Sequence, residues 1–214
     1  MREMNNAKPA KHLKWEWAKI YQNWFNTKVD FADLIIPEIY DPKKHFGVIL
    51  PKGVNWDQAS MVARNNFDID FYPKDFNKNV SVDKDDVPKN ERIANNGNVF
   101  KNDRIADRNY VVIFAKSISA DKKFRDISAN NLVEMNISGI TLLERLLLEI
   151  YYFYKTAKHL DLKTNTLCSG SRDAKGNIPT CGWEFTVKEF YVIWSEANEC
   201  DDTTRSRAVI ATTY

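Results

Sequence analysis

The chain has no apolar run of the roughly eighteen residues a membrane-spanning helix needs, so none is expected. Its first segment, MREMNNAKPAKHLKW, carries charge but no apolar stretch of the kind a secretory signal needs. An excess of one charge is missing too, with 31 Lys and Arg against 29 Asp and Glu. So even a balance removes the usual electrostatic ground for a nucleic-acid or anionic-membrane partner. Cysteine is scarce. Cys168, Cys181 and Cys200 form no CxxC and no zinc spacing, and their odd number argues against a complete disulfide framework. One bridge with a free thiol stays open, but three reduced, partly buried thiols are the favoured reading. His12, His45 and His159 lie far apart and are expected to be surface or structural residues. There is no Ser-His-Asp order, metal triad, glycine-rich phosphate loop, internal repeat or low-complexity segment. No catalytic residue, metal or cofactor is therefore expected. The location stays open between cytoplasmic and virion-associated.

Aromatic residues are what the chain has in excess. Six Trp, nine Tyr and twelve Phe make 13% of it. They suit an aromatic core, and they also suit a binding surface, where Trp and Tyr give contact area at low entropic cost. Residues 12–26 place Trp17, Ile20, Tyr21 and Trp24 at helical spacing. Phe46–Leu50 reads as a buried strand. Asn55 and Gln58 then form a capping box for a helix of about three turns. Residues 66–108 are rich in Asp, Asn and Lys and read as a polar insertion with brief strands such as FDIDFY. Within them, DKDD at 83–86 offers oxygen ligands but lacks the glycine and terminal glutamate of a calcium loop. Residues 109–116 are the clearest strand, and Ser128 opens a short helix. Residues 140–155 form a second helix, starting at Ser138 or at a Thr141–Glu144 capping box. It is apolar on most sides, broken by Glu144, Arg145 and Glu149, so it should pack under a sheet.

The C-terminal part reads as a hairpin, NIPTCGWEF and EFYVIWS joined by Thr186–Lys188. Ile178, Cys181 and Trp183 are expected inward, with Phe190, Val192 and Trp194. Trp183, Trp194 and Val192 would form the scaffold. Thr180, Gly182, Glu184, Tyr191, Ile193 and Ser195 are expected outward and share no common chemistry. Such a mixed face suits a tailored binding surface better than a solvated or a buried one. Loops rich in turn residues flank it at 168–179 and 195–207. Arg205 and Arg207 are expected to be structural, pairing with Asp201 or Asp202.

In order and spacing, TLLERLLLEIYYFYKTAKHLD, TLCSGSR, GNIP, two strands each holding a Trp, and RSRAV resemble a family of variable proteins. That family occurs in candidate-phylum bacteria, nanoarchaea and archaeal viruses. The likeness covers about residues 138–211, with a further echo in ILPKG at 49–53. Members tied to diversity-generating retroelements carry a C-type lectin fold. An error-prone reverse transcriptase copies a template repeat, mutating it at adenines, and the copy replaces the end of the target gene. By position, the resemblance implies variable sites at Asp173, Thr180, Gly182, Glu184, Tyr191, Ile193, Ser195, Glu196, Asn198 and Glu199. The chain departs from the family at Lys175, where an aspartate is usual. Cys181 stands where many relatives have Val, and TTRSR lacks a Leu before the first Arg. The EPN, QPD and WND motifs of calcium-dependent sugar binders are absent, so no such binding is expected.

The expected fold is α+β and C-type-lectin-like, with two main helices packed on a mixed or antiparallel sheet. Phe46–Leu50 and Val209–Ile210 would be neighbouring strands. One domain would span residues 1–214, with a helical extension over about 1–40, the insertion over about 66–108 and a variable region over about 168–214. The expected activity is non-catalytic ligand binding, with an unknown macromolecular partner such as a protein, and with no nucleic acid and no membrane insertion. A display subunit of a virion or cell surface is the alternative, with the helix at 12–26 available for self-association. An enzyme related to formylglycine-generating enzymes is a more distant one.

Overall fold

The structure, a computed structural model, describes residues 3–67, 70–72, 101–173 and 175–214. In chain order the elements are α1 (Glu3–Trp24), β1 (His45–Leu50), α2 (Trp56–Phe67), β2 (Asp70–Tyr72) and β3 (Lys101–Asn102). Then come β4 (Tyr110–Ala115), α3 (Ala129–Glu134), α4 (Leu142–Thr156), β5 (Asn165–Leu167) and β6 (Ser171–Arg172). The chain closes with β7 (Ile178–Glu184), β8 (Glu189–Ser195), β9 (Thr204–Ser206) and β10 (Val209–Thr213). It is an α+β fold. The acidic run at 83–86 lies outside the described residues.

A three-stranded antiparallel sheet has the order β1-β4-β10. The expected neighbours Phe46–Leu50 and Val209–Ile210 thus share a sheet but do not pair with each other. β4 lies between them because its run Tyr110–Phe114, buried on both faces, can only be a central strand. Helix α1 covers the open edge of β1. Its stripe of Leu13, Trp17, Ile20 and Tyr21 is buried in the main core. The Trp17 indole N–H donates to the Gly47 carbonyl at 2.8 Å, and the Tyr21 hydroxyl donates to the Ile49 carbonyl at 3.0 Å. Alternate carbonyls of an edge strand, otherwise open to another chain, are thereby satisfied. What reads in sequence as a helical extension is an integral layer.

Local signals set the helix starts. The Asn55 amide bonds the Gln58 side chain at 3.2 Å and the Gln58 amide bonds the Asn55 side chain at 3.0 Å, a reciprocal box ahead of α2. Ser128 caps α3. Thr141, rather than Ser138, caps α4, and its box with Glu144 is complete. The three charges that break the apolar surface of α4 are all fully buried. Each has a partner. Arg104 holds Glu144 at 2.7 and 2.8 Å. Arg145 lies 2.8 Å from Glu149 and 2.9 Å from Asp161. Arg207 reaches Asp161 at 2.8 Å and the Ser117 and Ile118 carbonyls at 2.9 and 3.0 Å. Arg207 is thus structural, as expected, but through Asp161 rather than Asp201 or Asp202. Asp202 pairs instead with Arg125 at 3.0 Å.

The second sheet has the order β2-β8-β7-β5-β9. β2, from the start of the polar insertion, pairs in parallel with β8, Asp70–Tyr72 beside Glu189–Tyr191. A two-stranded pairing of β3 with β6 completes the sheets. One core cluster runs through α1, β1, α2, β4, α4, β7 and β8. A smaller one gathers Phe124, Ala129, Leu132, Leu167, Ile178 and Ala208.

Candidate ligand-binding face

The hairpin of β7 and β8 is in continuous antiparallel register from Ile178↔Ser195 to Glu184↔Glu189. Side chains of alternate residues point to opposite faces. On the inner face, Cys181, Phe190 and Val192 are buried and Trp183 nearly so. The Arg145 guanidinium lies 5.4 Å from the Phe190 ring centroid. Trp183 stacks on His159 at 3.5 Å between ring centroids, with the planes 6° apart. His159 in turn contacts Glu149 at 3.0 Å. Trp194 is half-buried against the main core, so the two tryptophans are not equivalent.

The outer face is more closed than the sequence suggests. Ile178, expected inward, shares its parity with Thr180 and joins the smaller cluster with Leu167. Its apolar character fits an outer face that α3 covers at that end. The Asn130 amide of α3 bonds the Ala197 carbonyl at 3.0 Å and closes this cover. Thr180 is 1% exposed, and its hydroxyl lies 3.2 Å from that of Ser195. Gly182 is buried beneath Tyr191. The Tyr191 hydroxyl donates to Asn165 Oδ1 on β5, crossing β7 to do so. Gly182 makes this crossing possible, since a Cβ there would fall 2.8 Å from both Asn165 Oδ1 and the Tyr191 hydroxyl oxygen. Burial pushes the Tyr191 hydroxyl above its ordinary pKa.

The open residues form a strip around this closed centre. Ile193 is 43% exposed, and Glu184, Glu196, Asn198 and Glu199 are exposed as well. Ser195 and Asp173 are half-buried. Glu184 accepts the Thr186 amide at 3.0 Å, and this bond holds its carboxyl below the usual range. It sits at the turn end of the hairpin, and Ser195 sits about 20 Å away at the other end, at the rise of an extended strand. The loops beside Ser195 are held by carboxylates. Asp173 accepts the Lys175 and Asn177 amides, each at 2.8 Å, and the Asn177 side chain. Burial opposes the charge of Asp201, but four hydrogen bonds from Thr203 and Thr204 hold its carboxyl below the usual range. Asp173 thus serves its own loop as well as facing solvent.

Three residues of this region escape a reading by alternation. Asn165 belongs to the face only through the Tyr191 bond, which sequence cannot show. Phe185 and Val187, 74% and 57% exposed, project from the turn. An apolar pair in a turn is itself a signal, since ordinary turns favour small or polar residues. Cys168 and Cys181 meet inside the sheet, 3.6 Å apart, while Cys200 is exposed. All three are thiols in this structure.

A cleft of about 390 Å³ lies elsewhere, between the end of α1, the turn after β1, and α2, lined in part by Trp24, Phe25, Lys52 and Met61. None of the candidate face residues lines it. Among the described residues, no group of three or more His, Cys, Asp or Glu could hold a metal ion, and no helix is long and apolar enough to cross a membrane. No protein-family model, no curated protein and no solved structure matches the chain.

Proposed function

We propose that this protein is a non-catalytic binding module with a C-type-lectin-like fold, whose C-terminal face is varied by a diversity-generating retroelement. The observation that carries the reading is the division of labour within one hairpin. Cys181, Trp183, Phe190 and Val192 pack inward, while Glu184, Ile193 and Glu196 reach solvent on the same strands or just beyond. A rigid frame with interchangeable outer side chains is what a mutable binding surface needs. The segments that carry the family resemblance also meet in space. Arg145 of the ERLLLE helix, Thr166 of the TLCSGSR turn and Arg207 of the terminal RSR all bond Asp161. Ser171 of that turn accepts the Leu142 amide at 2.9 Å, at the start of the same helix.

The partner is a protein or another macromolecular surface. An open strip about 20 Å long, carrying apolar Ile193, Val187 and Phe185 together with Glu184, Glu196 and Glu199, suits a broad contact better than a pocket. Self-association through the apolar stripe of α1 has little to use, because that stripe is spent on β1 and α4. A nucleophilic role for the paired cysteines is disfavoured by burial, which pushes the Cys168 thiol well up.

The gene locus tests the proposal. A reverse-transcriptase gene should lie nearby, with a template repeat that differs from codons 173–199 only at adenines. A locus without such a repeat would remove retroelement diversification and leave the surface without that explanation.

A further inference from the structure

We propose that Cys168 and Cys181 are the two halves of a disulfide, which closes while the chain folds in the presence of a low-molecular-weight disulfide. The proposal does not rest on the retroelement reading. Its ground is the geometry of two adjacent antiparallel strands. Thr166 pairs with Cys181, and the Cys168 amide donates to the Pro179 carbonyl at 2.8 Å, so the register around both cysteines is fixed. Cys168 and Thr166 share a parity, and both sulfurs lie on the inner side. They are 3.6 Å apart. In that register Cys168 stands opposite Pro179 and Cys181 opposite Thr166, so the two are diagonal neighbours, and the closure of about 1.5 Å to the roughly 2.05 Å of a disulfide takes a shift of the strand ends as well as side-chain rotation.

The same burial that brings the sulfurs together closes them off. Both residues are 0% exposed. Burial also pushes the Cys168 thiol well up, so its thiolate is scarce in the folded protein. The folded dithiol should therefore ignore an oxidant in solution, and the bridge must form before β5 and β7 close. The chemistry is ordinary exchange. One cysteine thiolate attacks a sulfur of glutathione disulfide, whose S–S bond breaks and releases one glutathione thiolate. The second cysteine thiolate attacks the resulting mixed disulfide and releases the other. Two protein thiols lose two protons and two electrons, and one glutathione disulfide becomes two glutathiones. The product closes the loop 168–181, tying the end of β5 to β7 beneath the segment that carries Asp173. Cys200, exposed and remote in the fold, is left out.

The test is to refold reduced, denatured full-length protein in a glutathione redox buffer and, separately, in dithiothreitol. Free thiols are then alkylated and the peptides mapped. The expected product of the first refolding carries Cys168 joined to Cys181 and Cys200 unbridged within the chain. It should melt about 5–10 °C higher than the dithiothreitol product. Protein folded first as the dithiol and then placed in the glutathione buffer should react at Cys200 alone. C181V keeps an apolar side chain without the sulfur and should melt at one temperature in both buffers. C200S leaves the core untouched and should form the same bridge even if C181V does not fold. Recovery of Cys168 and Cys181 as alkylated thiols from the glutathione refolding would overturn the proposal. So would a bridge to Cys200, or the same buffer-dependent melting shift in C181V.

Discussion

Gly182 shows how one hydrogen atom in place of a methyl group shapes the candidate face. Tyr191 lies over it and bonds Asn165. Replacement by Ala puts a Cβ 2.8 Å from both partners of that bond. Either the tyrosine lifts or the strands part, at a cost of about 1–3 kcal/mol. G182A in a Tyr191→Ala background should cost less, because the tyrosine is gone and the Asn165 side chain, released from its bond, can turn away. A double-mutant cycle by urea unfolding measures the difference, and additive losses would contradict the crossing. Two neighbours make a useful contrast. I193K should leave stability within about 0.5 kcal/mol of the parent, since Ile193 is 43% exposed. W183A should cost about 3–5 kcal/mol, since Trp183 is 6% exposed and stacked on His159. Equal losses for the two would remove the distinction between frame and readout. Tyr191 falls between them: its bond makes it part of the frame as well as of the surface.

At the level of elements, most helices and strands were legible because each has a local cause. The Asn55–Gln58 and Thr141–Glu144 boxes mark two helix starts, and the apolar run at 110–114 marks a central strand. Beyond the C-terminal hairpin, pairing partners were not legible. Nothing in YVVIFA states that it separates β1 from β10, and nothing in DFY states that it lies parallel to β8. Face was legible only where one side of a strand is open. Glu184 and Ile193 follow alternation, but β7 is buried on both sides from Ile178 to Trp183, so its apolar content no longer reports direction. Ile178 was misread for that reason. The α4 box offers a test of how tightly local and tertiary structure are joined. In solvent, a capping threonine is worth about 1 kcal/mol. Here Glu144 also holds Arg104 and the Tyr110 hydroxyl, all buried. T141A should therefore approach the upper end of the capping range, about 2 kcal/mol, by chemical denaturation. A loss of a few tenths would mean that Arg104 alone fixes Glu144.

For the whole molecule, Asp161 is the point where three segments distant in sequence are joined. It bonds Arg145 from α4, Arg207 from the C-terminal end, Thr166 from β5 and the Ala120 amide. Burial works against its charge, but Arg207 and Arg145, with the Thr166 hydroxyl, hold its carboxyl below the usual aspartate range. In an unfolded chain an aspartate titrates near about 3.9. As pH falls, the unfolded chain therefore takes up this proton first, and folding loses ground. The stabilisation from Asp161 is fully present above the unfolded value and is lost as pH falls through the lower, folded one. The physical source of that loss is the attraction of two buried arginines, which a neutral partner no longer returns. On this account, denaturant midpoints should be flat from about pH 7 to about pH 5 and fall below about pH 4. D161N removes the titrating group and strands positive charge, at a cost of about 3–5 kcal/mol near neutral pH. Its further loss below about pH 4 should be smaller than that of the parent, so the two stability curves converge on acidification. A gap that stays constant down to about pH 2 would mean that other carboxylates, and not this junction, set the acid limit of the fold.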